Sequence, residues 1–284
     1  EENSSLRINV LFKDRNGLLW VGSSEGLYKI TGNKTVKVTG PGTEKCQVTA
    51  IGQETGGTMW IGCKSGKIFS LTNKTTEAFK PEEGLPKEAI TSISADAMGR
   101  VWFGTGGEGI YVYDKKYFNN IDAGDGLSDN FVNCLYPYGS EMVAGTDRGL
   151  SFIRLEGKQK NIQVFTSKNG LPDNIVRSVT ASLLKGNIWI GTQSKGLYQL
   201  NIPQRSLLNN NLPAWEYGQV NDIKEQLNEV VIATQDNDVM VLDKRTQVFS
   251  KEPFSDSLAH SISDIETDDE ENTWFANEYK LLKS

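Results

Sequence analysis

The chain has 284 residues, and its 30 lysines and arginines against 36 aspartates and glutamates give a formal net charge of −6. This acidic balance excludes the basic footprint that nucleic-acid binding needs. No stretch approaches the roughly 20 consecutive apolar residues of a membrane-spanning helix, so direct membrane insertion is not expected. The 28 glycines indicate many tight turns between short strands.

One short segment recurs seven times along the chain, at intervals of 40 to 46 residues. It consists of tryptophan or valine, an apolar residue, and glycine or alanine. The copies occupy residues 20–22, 60–62, 102–104, 143–145, 189–191, 231–233 and 274–276. An apolar residue precedes each copy by 11 to 13 positions, namely Ile8, Val48, Ile90, Val132, Val176, Val220 and Ile262. Because this register holds in all copies, the chain consists of seven repeats.

Each repeat predicts four short strands, taken in chain order. The first carries the apolar residue and ends in a turn such as residues 14–17, where glycine permits a positive φ. The second is the tryptophan segment. The third follows a glycine-rich turn, as in residues 26–30, and the fourth is shorter, as in residues 162–165. A connector such as residues 84–86 then leads to the next repeat.

A four-stranded sheet of this size has two apolar faces and cannot bury both by itself. Repeats of this length solve the problem by stacking radially, each covering its neighbour's face. The sequence therefore predicts an all-β, seven-bladed β-propeller with four-stranded antiparallel blades and with the tryptophans packed between blades. We expect one domain over residues 1–284, with blades that begin near residues 6, 46, 88, 130, 174, 218 and 260.

The seventh repeat supplies three strands before the chain ends at Ser284. We therefore expect either an incomplete last blade or a chain cut from a longer protein. Residues 1–5, which are polar and short, are a weak candidate for the missing strand.

The pattern Asp-x-x-Gly-x-x-Trp, continued by Gly-Ser/Thr and Gly-Leu/Ile-Tyr, resembles the two-component regulator propeller repeat. Residues 14–28 and 96–111 are the clearest copies, and the Gly-Leu-Pro connector belongs to the same resemblance. It covers essentially the whole chain. Proteins with this repeat are typically periplasmic sensor regions of hybrid two-component regulators in glycan-degrading gut bacteria.

The resemblance implies a non-catalytic, periplasmic or extracytoplasmic sensor that takes a small molecule or an oligosaccharide. Its partners would be downstream signalling domains or a second protomer, and no cofactor is implied. Two alternatives stay open, a protein–protein interaction scaffold and a propeller lyase or hydrolase. Streptogramin lyase, another seven-bladed propeller with this turn, relies on histidine, and the one histidine here is His260.

Two adjacent columns on the first strands predict a ligand site. The residue after each apolar position is polar in every repeat, and innermost strands line the central channel. Arg177, Asp222 and Asp264 carry charge on three successive blades, so they could hold a charged or hydroxyl-rich ligand. The column could equally be small polar residues and water in a narrow channel, and the three charges could neutralise one another. Two carboxylates are too few for calcium, so no metal is predicted.

The connectors should cluster at one face with the turns after the second strands, and that rim is the second part of the predicted site. It includes Asn130 and Asn174 together with Trp215 and Tyr217, whose connector is longer than the others. Aromatic faces beside amides suit stacking on sugar rings. The alternative is that Trp215 packs against its own loop.

The three cysteines do not form a fully paired set. Cys46 and Cys63 fall near the same end of blade two, and a disulfide between them is left open because the strand offset is unfavourable. Cys134 is expected to be a small buried apolar residue.

Overall fold

Each of the seven repeats folds as one antiparallel sheet in which consecutive strands are hydrogen-bonded neighbours. The computed structural model describes residues 6–32, 34–40, 43–72, 75–80, 84–208, 212–236, 238–253, 260–277 and 279–284. Over these residues there are 27 strands. Three short 3-10 helices lie in connectors, at Thr43–Lys45, Ala123–Asp125 and Ser167–Asn169. No helix in the described ranges is long and apolar enough to cross a membrane.

The strands fall into four classes by their position in a blade. The first, innermost strands are β1 (Ile8–Lys13), β5 (Val48–Gln53), β9 (Ile90–Ala95), β13 (Val132–Tyr138), β17 (Val176–Ala181), β21 (Val220–Glu225) and β25 (Ile262–Thr267). The second strands are β2 (Leu19–Ser23), β6 (Met59–Cys63), β10 (Val101–Thr105), β14 (Glu141–Thr146), β18 (Asn187–Thr192), β22 (Glu229–Thr234) and β26 (Thr273–Asn277).

The third and fourth strands form the outer half of each blade. The third strands are β3 (Gly26–Thr31), β7 (Ile68–Leu71), β11 (Ile110–Tyr113), β15 (Gly149–Glu156), β19 (Leu197–Asn201), β23 (Val239–Asp243) and β27 (Leu281–Lys283). The fourth strands are β4 (Lys34–Val38), β8 (Thr76–Ala78), β12 (Phe118–Ile121), β16 (Gln159–Phe165), β20 (Ser206–Leu207) and β24 (Val248–Lys251).

The innermost strands contact one another in cyclic order, and β25 of blade seven packs against β1 of blade one. The ring therefore closes, and the predicted seven-bladed propeller is confirmed. Blade seven has three strands within the described residues, as the sequence indicated. The candidate for a fourth strand, residues 1–5, lies outside the described residues.

Four of the five repeat tryptophans are buried between blades, as predicted, and Trp274 of blade seven is partly buried. Trp102 of blade three is 1% exposed and packs in one apolar cluster with Leu135 and Met142 of blade four. Trp20 of blade one packs in the same way with Ile61 of blade two. Each sheet thus hides one apolar face against the next sheet, and burial of these large rings is a major apolar contribution to stability.

Close packing between blades also explains the glycine that lies two residues after four of the five repeat tryptophans. A Cβ built on Gly104 would lie 2.8 Å from Val132 Cγ1 in blade four, and one on Gly62 would lie 2.5 Å from Ile90 Cγ2 in blade three. A real side chain cannot approach so closely without moving the next innermost strand. Glycine at this position therefore sets how tightly neighbouring blades approach.

The aspartate of the repeat organises the turn between the first two strands. Asp96 Oδ1 accepts the backbone N–H groups of Met98 and Arg100, and its Oδ2 accepts the Trp102 indole N–H at 2.9 Å. Asp14 and Asp268 make the equivalent bonds in blades one and seven. A buried carboxylate thus pairs the indole that the blade interface removes from water.

Blades two and five lack this aspartate. The equivalent positions hold Glu54 and Leu183, and the buried indole nitrogens of Trp60 and Trp189 have no hydrogen-bond partner within the described residues. A buried N–H without a partner costs free energy. Blades two and five therefore keep the buried tryptophan of the motif but lack the aspartate that accepts its indole N–H.

Exchanging the acceptor between blades tests this account. Asp96→Ala should lower the free energy of unfolding by about 3 kcal/mol, because two turn N–H groups and a buried indole lose a charged partner. Glu54→Asp should raise it by about 1 kcal/mol by supplying the Trp60 indole with an acceptor. Urea denaturation measures both, and Glu54→Ala, which removes no indole bond, is the control. A destabilised Glu54→Asp variant would contradict the account.

Cys46 and Cys63 form a disulfide with their Cα atoms 5.6 Å apart. Cys63 pairs in register with Val48 at the end of β6, and Cys46 lies two residues ahead of Val48. That placement answers the question that the sequence left open. Cys134 is a free cysteine, and burial raises the pKa of its thiol to about 12.

Thiol counting with a chromogenic disulfide reagent distinguishes the three cysteines. At about pH 8 the native protein should react slowly, because a thiol with a raised pKa carries little thiolate. Unfolding without a reductant should release one thiol, and unfolding with a reductant should release all three. Three reactive thiols without reduction would rule out the disulfide, and fast labelling of the native protein would contradict the raised pKa of Cys134.

Candidate functional site

Side chains of the first polar column in the channel form hydrogen bonds between neighbouring blades. In five blades its side chain donates a hydrogen bond to the backbone carbonyl of the first apolar residue in the next blade. The pairs are Asn9 to Val48, Thr49 to Ile90, Thr91 to Val132, Asn133 to Val176 and Asn221 to Ile262. Backbone groups at the edge of an innermost strand have no strand partner, so these side chains satisfy them.

Side chains of the second polar column accept hydrogen bonds instead, from backbone N–H groups of the next blade. Ser92 Oγ accepts the Leu135 N–H of the next blade at 3.1 Å, and Asp222 Oδ2 accepts the Ile265 N–H at 2.9 Å. Asp264 Oδ2 accepts the Leu11 N–H at 2.6 Å, which joins blade seven to blade one. The two aspartates that the sequence suggested as ligand groups therefore hold adjacent blades, and Asp264 closes the ring.

Asp222 and Asp264 also interact with each other. Burial, followed by the charge of the neighbouring Asp222 carboxylate and a hydrogen bond to it, raises the pKa of Asp264 well above its usual range. Asp222 Oδ1 in turn accepts the Ser178 hydroxyl at 3.0 Å. The raised pKa favours the protonated form of Asp264 beside its neighbouring carboxyl group.

The raised pKa gives the ring a defined pH dependence. A carboxyl whose pKa is raised by folding stabilises the fold below its unfolded pKa of about 4, and this stabilisation is lost as the pH rises through the folded pKa. Asp264→Asn keeps an oxygen for Leu11 N–H and stays neutral. Its stability relative to the wild type should therefore increase with pH above about 4.

Urea denaturation at several pH values measures this difference. Asp264→Ala, which keeps no acceptor for Leu11, should be less stable than Asp264→Asn at every pH. Parallel pH profiles of the wild type and Asp264→Asn would show that folding does not raise the pKa of Asp264.

The connectors and the turns after the second strands lie on one face of the ring. The backbone N–H of Lys64, which follows β6, donates to the carbonyl of Gln47, which precedes β5, at 2.9 Å. Gln235 and Gln219 of blade six make the same bond, also at 2.9 Å. This arrangement is the rim predicted from the sequence.

A cavity of about 590 Å³ opens at this face around the channel mouth, and residues from all seven blades line it. Its walls are mainly amides and hydroxyls, such as those of Asn9, Thr49 and Asn221, together with Arg177. Other cavities between the outer strands of the described residues draw on two blades each, as in the one between Asp114 of blade three and Lys158 of blade four. The mouth is therefore the site where one ligand could touch the whole ring.

Arg177 belongs to the first polar column but makes no hydrogen bond to the next blade among the described residues. Its Nη1 donates to Asn133 Oδ1 at 3.0 Å and to Asp147 Oδ1 at 3.2 Å, and its Nη2 donates to Gln193 Oε1. These partners belong to blade four and to its own blade, so the guanidinium turns back instead of reaching blade six. Its side chain is 26% exposed, and its buried Nε has no partner within the described residues. The result is a guanidinium fixed in the wall of the mouth.

The remaining predicted site residues do not line this cavity. Asn130 and Asn174 accept the first N–H groups of the 3-10 helices in their connectors, at 2.8 and 2.7 Å. Trp215 donates its indole N–H to the Gly218 carbonyl and packs edge-to-face against Tyr217. Trp215 thus packs on its own loop, the alternative considered from the sequence. Of the seven residues predicted for the site, Arg177 lies in the cavity wall and Asp222 and Asp264 lie in the adjoining column.

Sequence reasoning missed several residues that line the mouth. Arg7, Gln47 and Gln219 directly precede the first strands, and Lys64 directly follows a second strand. The sequence contains a signal for them, because each lies at a fixed distance along the chain from the repeated apolar residue or the tryptophan segment. The repeat pattern does not show that both positions face the channel mouth.

The chain is similar to known proteins in its repeat and in its fold. Residues 84–107 match the family model described as the two component regulator propeller. The resemblance inferred from the repeat is confirmed. The matched residues comprise the connector and the first two strands of blade three. No protein with a curated description matches the chain.

Solved structures similar to the chain include two extracellular domains of hybrid two-component system proteins from B. thetaiotaomicron. One is 18% identical with a TM-score of 0.78, covering 100% of this chain and 39% of that one. The other is 22% identical with a TM-score of 0.76, covering 96% and 39%. The chain thus spans about two fifths of their length. Virginiamycin B lyase from Staphylococcus aureus is 14% identical with a TM-score of 0.77, covering 98% and 94%. At these identities the likeness establishes the propeller fold.

Proposed function

We propose that this propeller is a non-catalytic, extracytoplasmic sensor of a two-component signalling protein and that it binds an oligosaccharide or small molecule at the channel mouth. The observation that carries the proposal is the cavity of about 590 Å³ to which all seven blades contribute. A ligand seated there would contact several blades at once. It would therefore favour one arrangement of the ring, which is the requirement for a sensor.

The polar lining suits the hydroxyl groups of a saccharide. The side chains of Gln47 and Gln235 line the mouth and make no hydrogen bond among the described residues, so their donors and acceptors are available. The Thr49 and Thr91 hydroxyls already donate to backbone carbonyls, which leaves their oxygens as acceptors. Arg177 of blade five adds a fixed donor across the ring from Gln47 and Thr49.

An extracytoplasmic location is supported by the disulfide between Cys46 and Cys63, because such bonds persist in oxidising compartments. The similar solved structures from B. thetaiotaomicron are described as extracellular domains. Both observations agree with the repeat family found at residues 84–107.

A binding role is favoured over a lyase role because no acid and base pair lines the mouth within the described residues. The one histidine, His260, lies edge-on against the Tyr279 ring with the ring centroids 4.6 Å apart, and it does not line the cavity. Asp222 and Asp264 are occupied by the backbone of neighbouring blades. The similarity to virginiamycin B lyase therefore extends to the fold and not to histidine chemistry.

The opposite face of the ring favours a protein partner as a second function. Leu183, Leu184 and Leu227 are 62%, 60% and 79% exposed on the turns of blades five and six. The Leu183 N–H donates to Glu225 Oε2 at 2.6 Å, which brings the two turns together. An apolar surface of this kind fits a downstream signalling domain or a second protomer as the partner.

A thermal-shift screen with neutral and charged oligosaccharides at millimolar concentration tests the proposal. A ligand present at about 100 times its Kd stabilises the folded state by about 2.7 kcal/mol, so a hit should raise Tm by several degrees. The double variant Gln47→Ala/Gln235→Ala should keep the Tm of the free protein and lose most of the shift. Gln163→Ala on an outer strand is the matched control. No shift with any saccharide would contradict the proposal and favour a scaffold.

A further inference from the structure

The charge of the channel mouth is opposite to that of the chain. Three cations, Arg7, Lys64 and Arg177, line the cavity, and no carboxylate does so among the described residues. The whole chain carries a formal net charge of −6. Cations collected in a concave wall on an acidic protein create a local positive potential, which attracts anions and repels cations.

The cations of blades one and two lie on backbone segments that hydrogen bonds hold in place. The Lys64 N–H donates to the Gln47 carbonyl, and the preceding residue, Cys63, is bonded to Cys46. The Lys64 side chain is exposed and forms no ion pair within the described residues. Arg7 is likewise exposed, and its N–H donates to Ser24 Oγ at 3.0 Å. The disulfide and these backbone bonds therefore hold two cationic side chains at one side of the mouth.

Arg177 places a third cation across the ring, in blade five. Asp147 pairs with its Nη1 at 3.2 Å and offsets part of its charge. Of the five N–H groups of a guanidinium, three are used by Asn133, Asp147 and Gln193. The remaining N–H groups belong to Nη2 and to the buried Nε. Arg177 therefore lines the cavity with one Nη2 N–H that has no partner among the described residues, at a position that its three partners fix.

We propose that the channel mouth selects an acidic oligosaccharide, one that bears carboxylate or sulfate groups, over a neutral one. The inference rests on the proposed function and adds the ligand class. The anionic group pairs with Lys64, and the hydroxyls of the sugar bond to the amides of the mouth and to Arg177. Charged hydrogen bonds of this kind are stronger than those between neutral groups, so the anionic group supplies the discrimination.

Calorimetric titration with three probes tests the proposal. The probes are a hexamer of galacturonic acid, a sulfated chondroitin disaccharide and a neutral galactose hexamer. We expect at least one acidic probe to bind about tenfold more tightly than the neutral hexamer. Its affinity should fall as the salt concentration rises from about 50 to about 500 mM, because salt screens exposed charges. The two acidic probes distinguish a carboxylate from a sulfate preference.

Charge reversal at Lys64 gives the sharper test. Lys64→Glu should weaken the acidic probe by about tenfold or more and leave the neutral hexamer nearly unchanged. The variant should keep the wild-type Tm, because the Lys64 side chain forms no internal contact that folding requires. Lys158→Glu, an exposed lysine in the groove between blades three and four, is the matched control and should leave both affinities unchanged.

The outcomes separate this inference from the proposed function. Tight binding of the neutral hexamer with no binding of either acidic probe would overturn the acidic preference and leave the sensor proposal standing. Unchanged affinity of Lys64→Glu for an acidic probe would also overturn it. A failure of all three probes to bind, in a screen where other saccharides also fail, would count against the sensor proposal itself.

Discussion

The propeller depends on how the innermost strands satisfy backbone groups that no strand can pair. The edge of each first strand faces the channel and the next blade, so its N–H and C=O groups would be left without partners. Asn9 reaches the Val48 carbonyl in one direction, and Asp264 accepts the Leu11 N–H in the other. Side chains of one blade thus complete the hydrogen bonding of the next, and the polarity of the channel follows from this need.

The same requirement fixes the distance between blades. A side chain as short as threonine reaches the next backbone only when the two strands lie close together, as Thr49 does with Ile90. The glycine two residues after the tryptophan allows that approach, because a Cβ on Gly62 would collide with Ile90. The large ring of Trp60, on the same strand β6, packs with Ile90 and Phe103 of the next blade. A glycine and a tryptophan on one strand are therefore two parts of one packing solution.

The fold could be predicted from the sequence because these constraints act at fixed offsets in every repeat. The candidate site could not be predicted equally well, because its residues are distinguished by their partners. Asp222 and Asp264 carry charge in a polar column, which suggested ligand groups, yet their partners are the N–H groups of Ile265 and Leu11. Leu11 lies 253 residues from Asp264 along the chain, and only ring closure brings the two together.

Trp215 shows the same limit from the other direction. An aromatic residue in a longer connector is typical of a surface on which sugar rings stack. In this structure, however, the Trp215 indole nitrogen bonds to a residue three positions away, and its ring packs against Tyr217 and Phe249. Arg177 is the informative exception. It belongs to the first polar column and makes no bond to the next blade among the described residues, and it is held by Asn133, Asp147 and Gln193 instead. Ser263 also lacks a bond to the next blade among the described residues and donates to Ala276 of its own blade, whereas Arg177 replaces that bond with a partly buried charged network. Closing the ring does not require this network, which is why the proposed binding role is our explanation for Arg177.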